Sequence, residues 1–220
     1  MSDPELKGAR KAIVPVGSME QHGPHLPVST DALIAEHVAK KVAPLVGAVV
    51  LPAIVYGVSF EHRPLFNVSV RKGTLTATVS DVCASLAASG FTQIIILNGH
   101  HGNISALKNV VQDLRGKIPK SASVHVMHYW RAMKDELGHA GDAETSLVLA
   151  IAPELVAMNR AVPGAKKPPK SASISRPGSF IRMTGNGVWG DPRAASAEKG
   201  NLLLKEITKN LVKTISELQA

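Results

Sequence analysis

The residues best suited to chemistry lie within one short stretch, residues 17–31. It contains two carboxylates, Glu20 and Asp31, and two imidazoles, His22 and His25. If the chain is extended there, side chains two positions apart point the same way, so Glu20 and His22 would face one ligand. Carboxylate and imidazole ligands together suit zinc, iron or manganese at a hydrolytic site. The alternative is that the glutamate caps a turn and both histidines are ordinary loop residues.

Two predicted elements flank this stretch. An apolar run at residues 12–16 predicts a buried strand, and a helical pattern covers residues 32–45. The polar side chains are therefore predicted on a loop between a strand and a helix. In open α/β sheets, such loops at the carboxyl ends of the strands form the edge where ligands bind.

A second strand–loop–helix unit follows the apolar run at residues 94–97, which predicts a central parallel strand. His100 and His101 come directly after it, between two glycines that permit a tight turn. This loop could instead be a backbone nest that binds phosphate. It lacks the lysine and hydroxyl ending of a P-loop.

A third unit follows the strand predicted at residues 124–128. His139 and Glu144 precede a helical run at residues 147–151. Acidic residues are also favoured at a helix start for purely structural reasons. Three such clusters are expected at the same edge of one parallel sheet, and this convergence favours a metal-dependent active site.

Further predicted elements complete the pattern, and some of them place substrate contacts. A strand is predicted at residues 48–55, a short edge strand at 68–71, and helices at 74–89, 104–115 and 194–218. Five residues in or beside the loops are candidates for substrate contact: Glu61, His62, Arg63, His101 and Trp189. Arg63 would bind an anionic group or is a surface residue beside a proline. Trp189, in a glycine-rich segment that resembles a lid, would stack on a substrate ring or pack in the interior.

The composition limits the class of protein. A chain of 220 residues, 45% hydrophobic and 4% aromatic, fits one domain (residues 1–220) with an aliphatic core. The net charge of +8 includes a lysine cluster at residues 166–170 but comes with no nucleic-acid motif, so it favours small anionic substrates or solubility. The single cysteine, Cys83, is expected to be buried. The apolar stretch at residues 42–58 is broken by prolines and glycines, so we expect no membrane span and a cytoplasmic protein.

The three clusters together resemble the creatininase family of amidohydrolases. The matching pieces are Gly-Ser-Met-Glu-Gln-His-Gly-Pro-His-Leu-Pro with Thr30-Asp31, Asn-Gly-His-His-Gly-Asn, and His-Ala-Gly-Asp-Ala-Glu-Thr-Ser. Gly190-Asp191-Pro192 with Ala197-Glu198-Lys199-Gly200 is similar to the family's C-terminal signature. The resemblance implies a three-layer α/β/α sandwich with a mostly parallel sheet, and a homo-oligomer.

The resemblance also implies two divalent metal ions, Fe(II), zinc or manganese. Glu20 and His100 would hold one ion, His22 the other, and Asp31 would bridge them. A bridging hydroxide would then attack a carbonyl carbon. His139 would donate a proton to the leaving nitrogen, and Glu144 would support the site.

One departure from creatininase itself lies at Gly102, where creatininase has a ligand glutamate. Glu144 or a water molecule would then complete the second ion's ligands, and creatinine becomes less favoured as the substrate. Residues 59–62 and 66–70 look most like the archaeal-type formamidopyrimidine-nucleotide deformylases of flavin and deazaflavin synthesis. The family's mycofactocin peptidases come next, then creatininase proper. A metal- or anion-binding module without activity is the alternative of another class.

Overall fold

Four parallel strands form the central sheet in the computed structural model, which describes residue 6 and residues 8–166 and 176–218. The strands are β1 (Lys11–Val16), β2 (Ala48–Val50), β3 (Gln93–Asn98) and β4 (Ser123–His128), in the spatial order β2-β1-β3-β4. The pairing of β1 with β3 runs to Val16 opposite Asn98. The loops that follow these two strands therefore start side by side.

Helices cover both faces of this sheet. They are α1 (Thr30–Val46), α2 (Lys72–Ala88), α3 (Ile104–Asp113), α4 (Asp142–Ile151), α5 (Ser179–Thr184) and α6 (Ala197–Glu217). α1, α4 and α6 pack on one face, and α2 and α3 pack on the other. The predicted α/β fold, with a parallel sheet between helical layers, is confirmed.

Alternate residues of the central strands enter two separate aliphatic cores. Ile13 and Ile95 join the core beneath α1, α4 and α6, whereas Val14 and Ile96 join the core beneath α2 and α3. Each of these side chains is at most 1% exposed. Burial of a side chain of this size contributes about 1.5–3 kcal/mol relative to exposure, so the paired cores hold the two central strands rigidly.

The strand predicted at residues 48–55 is shorter than expected. Regular pairing stops at Val50, shortly before Pro52, which has no backbone N–H to offer a neighbouring strand. Ile54 still makes an isolated parallel bridge to Val16. The chain therefore continues along the sheet edge toward the site without forming a strand.

The short strand predicted at residues 68–71 does not form. Val68 instead donates its backbone N–H to the carbonyl of Met19 (2.8 Å), and the helix α2 begins at Lys72. Asn67 makes a single bridge with Glu20. This segment therefore runs beside the loop that follows β1.

Three other sequence expectations concern regions outside the site. Cys83 is fully buried in α2, and burial raises the pKa of its thiol to about 12, as suits a core residue. From Lys167 onward the lysine cluster lies outside the described residues. Across the described ranges, no helix combines the length and the apolar character needed to cross a membrane.

Candidate active site

The predicted ligands meet at the carboxyl edge of the sheet. Glu20 and His22 lie on the loop after β1, Asp31 lies in the first turn of α1, and His100 follows β3. None of the four is more than 5% exposed. The structure therefore gathers into one buried cluster residues that are up to 80 positions apart (100 − 20).

Two glycines allow these segments to approach so closely. A Cβ atom at Gly99 would lie 2.3 Å from the carbonyl oxygen of Asp31, and one at Gly17 would lie 2.4 Å from the backbone nitrogen of Ala32. No side chain fits at such distances. The first turn of α1 can thus rest directly on the ends of β1 and β3, which brings Asp31 to His100.

Asp31 lies between two histidines. Its Oδ2 is 2.9 Å from Nδ1 of His100, and its Oδ1 is 3.2 Å from Nε2 of His22. The other nitrogen of each ring binds a backbone carbonyl: His100 donates to Val58 (2.9 Å) and His22 donates to Glu20 (3.1 Å). Backbone partners of this kind orient the rings of metal-binding histidines.

The oxygens of Glu20 have close neighbours but no hydrogen bonds. Oε1 lies 2.9 Å from Nε2 of His62, and Oε2 lies 3.2 Å from Nε2 of His100. Nevertheless both oxygens, and Oδ2 of Asp31, are buried without a hydrogen-bond partner in the described structure. Buried polar atoms normally have partners. These unpartnered carboxylate oxygens fit ligands that converge on a metal ion.

Within the described part of the chain, three groups of side chains have ligand atoms within 4.8 Å of one another. They are Glu20, Asp31 and His100; His22, His139 and Glu144; and Glu20, His62 and His139. Asp31 Oδ1 contacts His22 of the second group, so it connects the first group to the second. This arrangement suits one carboxylate between two ions.

Glu144 and His139 complete the cluster from the third predicted loop. Glu144 lies in the first turn of α4, 3.9 Å from Nε2 of His22, and accepts a hydrogen bond from the backbone N–H of Ala140 (2.6 Å). His139 Nδ1 lies 4.0 Å from Glu20 Oε1, while its Nε2 donates to the backbone carbonyl of Gln21 (2.9 Å).

Charges within the cluster shift the pKa values of its members. Burial lowers the pKa of His22, but Asp31, Glu144 and Glu20 outweigh burial and raise it to about 9. Burial raises the pKa of Asp31, but His22 and His100 outweigh it and hold that pKa well below its usual range. Burial, opposed by His22 and helped by Asp31, raises the pKa of Glu144 to about 7. Glu20, Asp31 and Glu144 thus bring three carboxyl groups together in a buried space, where bound metal ions would balance their negative charge.

Gly102 takes the place of the ligand glutamate that the family resemblance led us to expect, and the space around it is full. A Cβ atom there would lie 2.1 Å from the carbonyl oxygen of Val58, 2.5 Å from His100 Nε2 and 2.8 Å from Glu61 Oε1. Glu61 is itself buried and lies 3.5 Å from the same nitrogen of His100. Besides Asp31, Glu144 lies beside His22, whereas Glu61 lies near His100.

A cavity of about 330 Å³ opens above this cluster. Four candidate ligands, Glu20, Asp31, His100 and Glu144, line it together with the rings of Trp130, Phe180 and Trp189. His62 and His101, both predicted to contact substrate, also line it. The cavity therefore combines candidate metal ligands with aromatic surfaces.

The polar lining of this cavity consists mainly of acidic side chains and histidines. Asp135 and Glu136 contribute to it, and among the described residues none of the lining side chains is Lys or Arg. Arg63, proposed from the sequence as a phosphate contact, is not part of the lining: it is exposed, with its guanidinium 5.1 Å from the centre of the Phe60 ring.

Sequence reasoning missed three residues of the site: Gln21, Trp130 and Phe180. Trp130 follows β4 directly, so the rule that places ligands at the carboxyl ends of strands could have found it. Gln21 lies within the first motif, but its partners are distant in sequence. Phe180 lies in a segment without periodicity, where the sequence carries no signal.

A buried set of carboxylates and imidazoles beneath a cavity, at the carboxyl edge of a parallel sheet, defines a metal-dependent hydrolase of the α/β class. The chain belongs to the creatininase family, whose model, described as creatinine amidohydrolase, matches residues 1–215. It is accordingly a metal-dependent amidohydrolase.

Curated relatives carry several activities. Creatinine amidohydrolase from Pseudomonas putida is 31% identical over 93% of this chain and 88% of its own length. A mycofactocin precursor peptide peptidase from Mycolicibacterium smegmatis is 35% identical over 94% of this chain and 85% of its own. A 2-amino-5-formylamino-6-ribosylaminopyrimidin-4(3H)-one 5'-monophosphate deformylase from Methanothermobacter marburgensis is 30% identical over 65% of this chain and 61% of its own. The deformylase likeness is thus the less extensive.

Solved structures agree with this assignment. A creatininase variant with phenylalanine in place of a tryptophan superposes with a TM-score of 0.84 at 30% identity, covering 98% of this chain and 94% of that one. Other creatininase structures are described as of Zn-Zn type and as the manganese form. They show which ions a creatininase accepts.

Proposed function

We propose that this chain hydrolyses the amide C–N bond of a small planar heterocycle, with two divalent metal ions. Glu20, Asp31 and His100 would hold one ion, and Asp31, His22 and Glu144 the other. The unpartnered buried oxygens of Glu20 and Asp31 support this donor set. Such ions would polarise a carbonyl and activate water for attack on it.

His139 is the candidate for proton transfer to the leaving nitrogen. Its Nε2–H is held by the Gln21 carbonyl, so its Nδ1 is free to take up and release a proton on the side of Glu20. Burial, together with His22 and His62, holds its pKa well below the ordinary value, which keeps the ring neutral before the reaction.

The observation that carries the substrate class is the composition of the cavity. Three aromatic rings and four of the proposed ligands line the same space of about 330 Å³, so a flat ring can stack there with its amide near the ions. The described lining offers no cation for a phosphate. A neutral or cationic ring with a cyclic or exocyclic amide is therefore the substrate we favour.

Deformylation of a formamidopyrimidine nucleotide is the second candidate. The net charge of +8 and the relative named as a deformylase favour it. Lys167 and Lys170, which could meet a phosphate, lie outside the described residues. The chemistry is otherwise the same, since an exocyclic formamide is also an amide on a planar ring.

A substrate comparison tests this proposal. Zinc- or manganese-loaded protein is given creatinine, the formamidopyrimidine nucleotide, its dephosphorylated nucleoside and a short peptide, and product release is measured. We expect turnover of a non-phosphorylated ring amide, lost in Glu20→Gln. Preference for the nucleotide over its nucleoside would establish the second candidate instead, and turnover of the peptide alone would overturn both.

A further inference from the structure

Gln21 lies behind two histidines of the cavity, His62 and His139, and is 8% exposed. The backbone fixes the orientation of its carboxamide. The N–H of Gly23 can only donate, so the atom 3.0 Å from it is Oε1. The carbonyl of Gly187 can only accept, so the atom 2.9 Å from it is Nε2.

The second hydrogen on Nε2 of Gln21 has two candidate acceptors, His62 Nδ1 at 2.9 Å and His139 Nε2 at 3.1 Å. His139 Nε2 also lies 2.9 Å from the backbone carbonyl of Gln21, which can only accept. That nitrogen therefore carries a hydrogen and has no lone pair to offer. The second hydrogen goes to His62 Nδ1.

We propose that Gln21 is a positioning residue that gives these two histidines opposite roles. His62, with Nδ1 occupied as an acceptor, carries its hydrogen on Nε2, 2.9 Å from Glu20 Oε1. A nitrogen that carries hydrogen cannot bind a metal ion, so Glu20, His62 and His139 do not form an ion site. His62 offers an N–H to the cavity, and His139 offers a lone pair.

The surroundings hold this arrangement in place. The ring of Phe180 packs against His62 and His139, with centroid distances of 4.6 and 4.9 Å. Gly187 has φ +78°, and a Cβ atom there would lie 2.6 Å from Gln21 Oε1. The glycine-rich loop, Gln21 and both rings therefore form one packed unit.

His62 then becomes a group that touches substrate, because its N–H can donate to the oxygen or nitrogen of the reacting amide. This step rests on the proposed amide hydrolysis. The tautomers themselves do not depend on it, since they follow from hydrogen bonds within the protein. They can therefore be measured without any substrate.

The test is nitrogen-15 NMR of histidine-labelled, zinc-loaded protein, with signals assigned from His62→Gln and His139→Gln variants. In the wild type we expect hydrogen on Nε2 of both rings. Gln21→Met removes the donor to His62, so its hydrogen should distribute over both nitrogens. Gln21→Glu presents an acceptor, so hydrogen should move to Nδ1 of His62.

His139 is the internal control, because the backbone carbonyl of residue 21 holds it in every variant. Gln93→Met, at a buried glutamine at the start of β3, is the control for replacing a buried amide. We expect the His139 tautomer to be the same in every variant, and we expect Gln93→Met to leave the tautomers of both histidines unchanged. An unchanged His62 in both Gln21 variants, or hydrogen on Nδ1 of His62 in the wild type, would overturn the proposal.

Turnover provides a separate reading once a substrate is known. Loss of a partner that orients a group in a metal site typically costs about 10- to 100-fold in activity. We expect a loss of this size in kcat for Gln21→Met, with unchanged metal content. Wild-type kcat together with a changed His62 tautomer would mean that His62 takes no part in the reaction, which would overturn its role while leaving amide hydrolysis intact.

Discussion

Asp31 uses each of its two carboxylate oxygens toward a different histidine, and this gives a prediction at the scale of one residue. In Asp31→Ala, His22 and His100 lose their common neighbour, so we expect the occupancy of both ions to fall together. Elemental analysis of the purified variant measures it. Full metal content at either position would show that Asp31 does not connect two ions.

His139→Ala is the matched comparison for Asp31→Ala, because both remove a buried polar side chain of the same cluster. If His139 transfers protons, this variant keeps its ions and loses turnover by about a hundredfold to ten-thousandfold, the usual range for general acid–base catalysis. Loss of metal in His139→Ala would instead identify His139 as a ligand.

The types and spacing of Glu20, His22 and His100 were enough to predict a metal site from the sequence. What the sequence could not provide was the tautomer of each ring. That depends on partners such as the carbonyls of Val58 and Gln21, and a backbone carbonyl has the same chemistry at every position. Only the fold decides which one meets a side chain.

At the scale of elements, the contact between the end of β3 and α1 depends on Gly99. In Gly99→Ala the new methyl group would meet the carbonyl of Asp31 and the Cβ atom of Ala35, so α1 must move away from the sheet. We expect weaker metal binding and lower stability, measured by calorimetric titration with zinc and by urea denaturation.

Gly73→Ala, in the first turn of α2, is the control. Nothing lies within 4 Å of a Cβ atom there. An alanine in a helix is favoured over glycine by roughly 0.5–1 kcal/mol, so this variant should bind zinc normally and be slightly more stable. Normal zinc binding by Gly99→Ala as well would show that the approach of α1 to β3 is not what places Asp31.

Strong local patterns predicted the elements that matter most here. β3 is apolar on both faces, so its own residues were enough to predict a strand. β2 was predicted too long, because Pro52 limits strand pairing and a hydrophobicity pattern does not show this effect. The helix α5 was not predicted. Its six residues, Ser179–Thr184, are ordered by packing against the turn at Phe60–His62.

At the scale of the whole molecule, the buried cluster links folding to pH. The pKa of His22 is raised from 6.5 to about 9 without a metal ion, and that of His100 is raised as well. A raised folded-state pKa stabilises the protein fully below pH 6.5, and the contribution is lost as pH rises through about 9. For His22 alone the loss is on the order of 3 kcal/mol.

We therefore expect protein stripped by a chelator to lose stability between pH 6.5 and about 9. Zinc-loaded protein should lose much less, because an ion takes the place of the proton on His22. Urea denaturation of both forms across this range measures the difference. Equal pH dependence would mean that His22 is not protonated in the stripped protein.

The oligomeric state predicted from the family resemblance, a homo-oligomer, is a separate whole-molecule expectation. Several large apolar side chains near the first loop are well exposed in the single chain, among them Tyr56 (49%) and Phe66 (55%). Both lie between β2 and α2, in the part of the chain that runs beside the loop after β1. Such exposed apolar side chains could be covered by a second copy of the chain. Light scattering of the purified protein measures its molar mass and so tests whether it forms a homo-oligomer.

The ligand loops and the aromatic lining come from different parts of the chain. Three of the four central ligands precede α2 and the fourth follows β3, whereas Trp130, Phe180 and Trp189 all come later. Natural variation can therefore change the segments that carry these three rings while Glu20, His22, Asp31 and His100 stay in place. A lineage of such proteins can exchange one amide for another by substitutions around those rings while the metal ligands stay fixed. Relatives named for creatinine, for a precursor peptide and for a formylated pyrimidine are the outcome that this division of labour would produce.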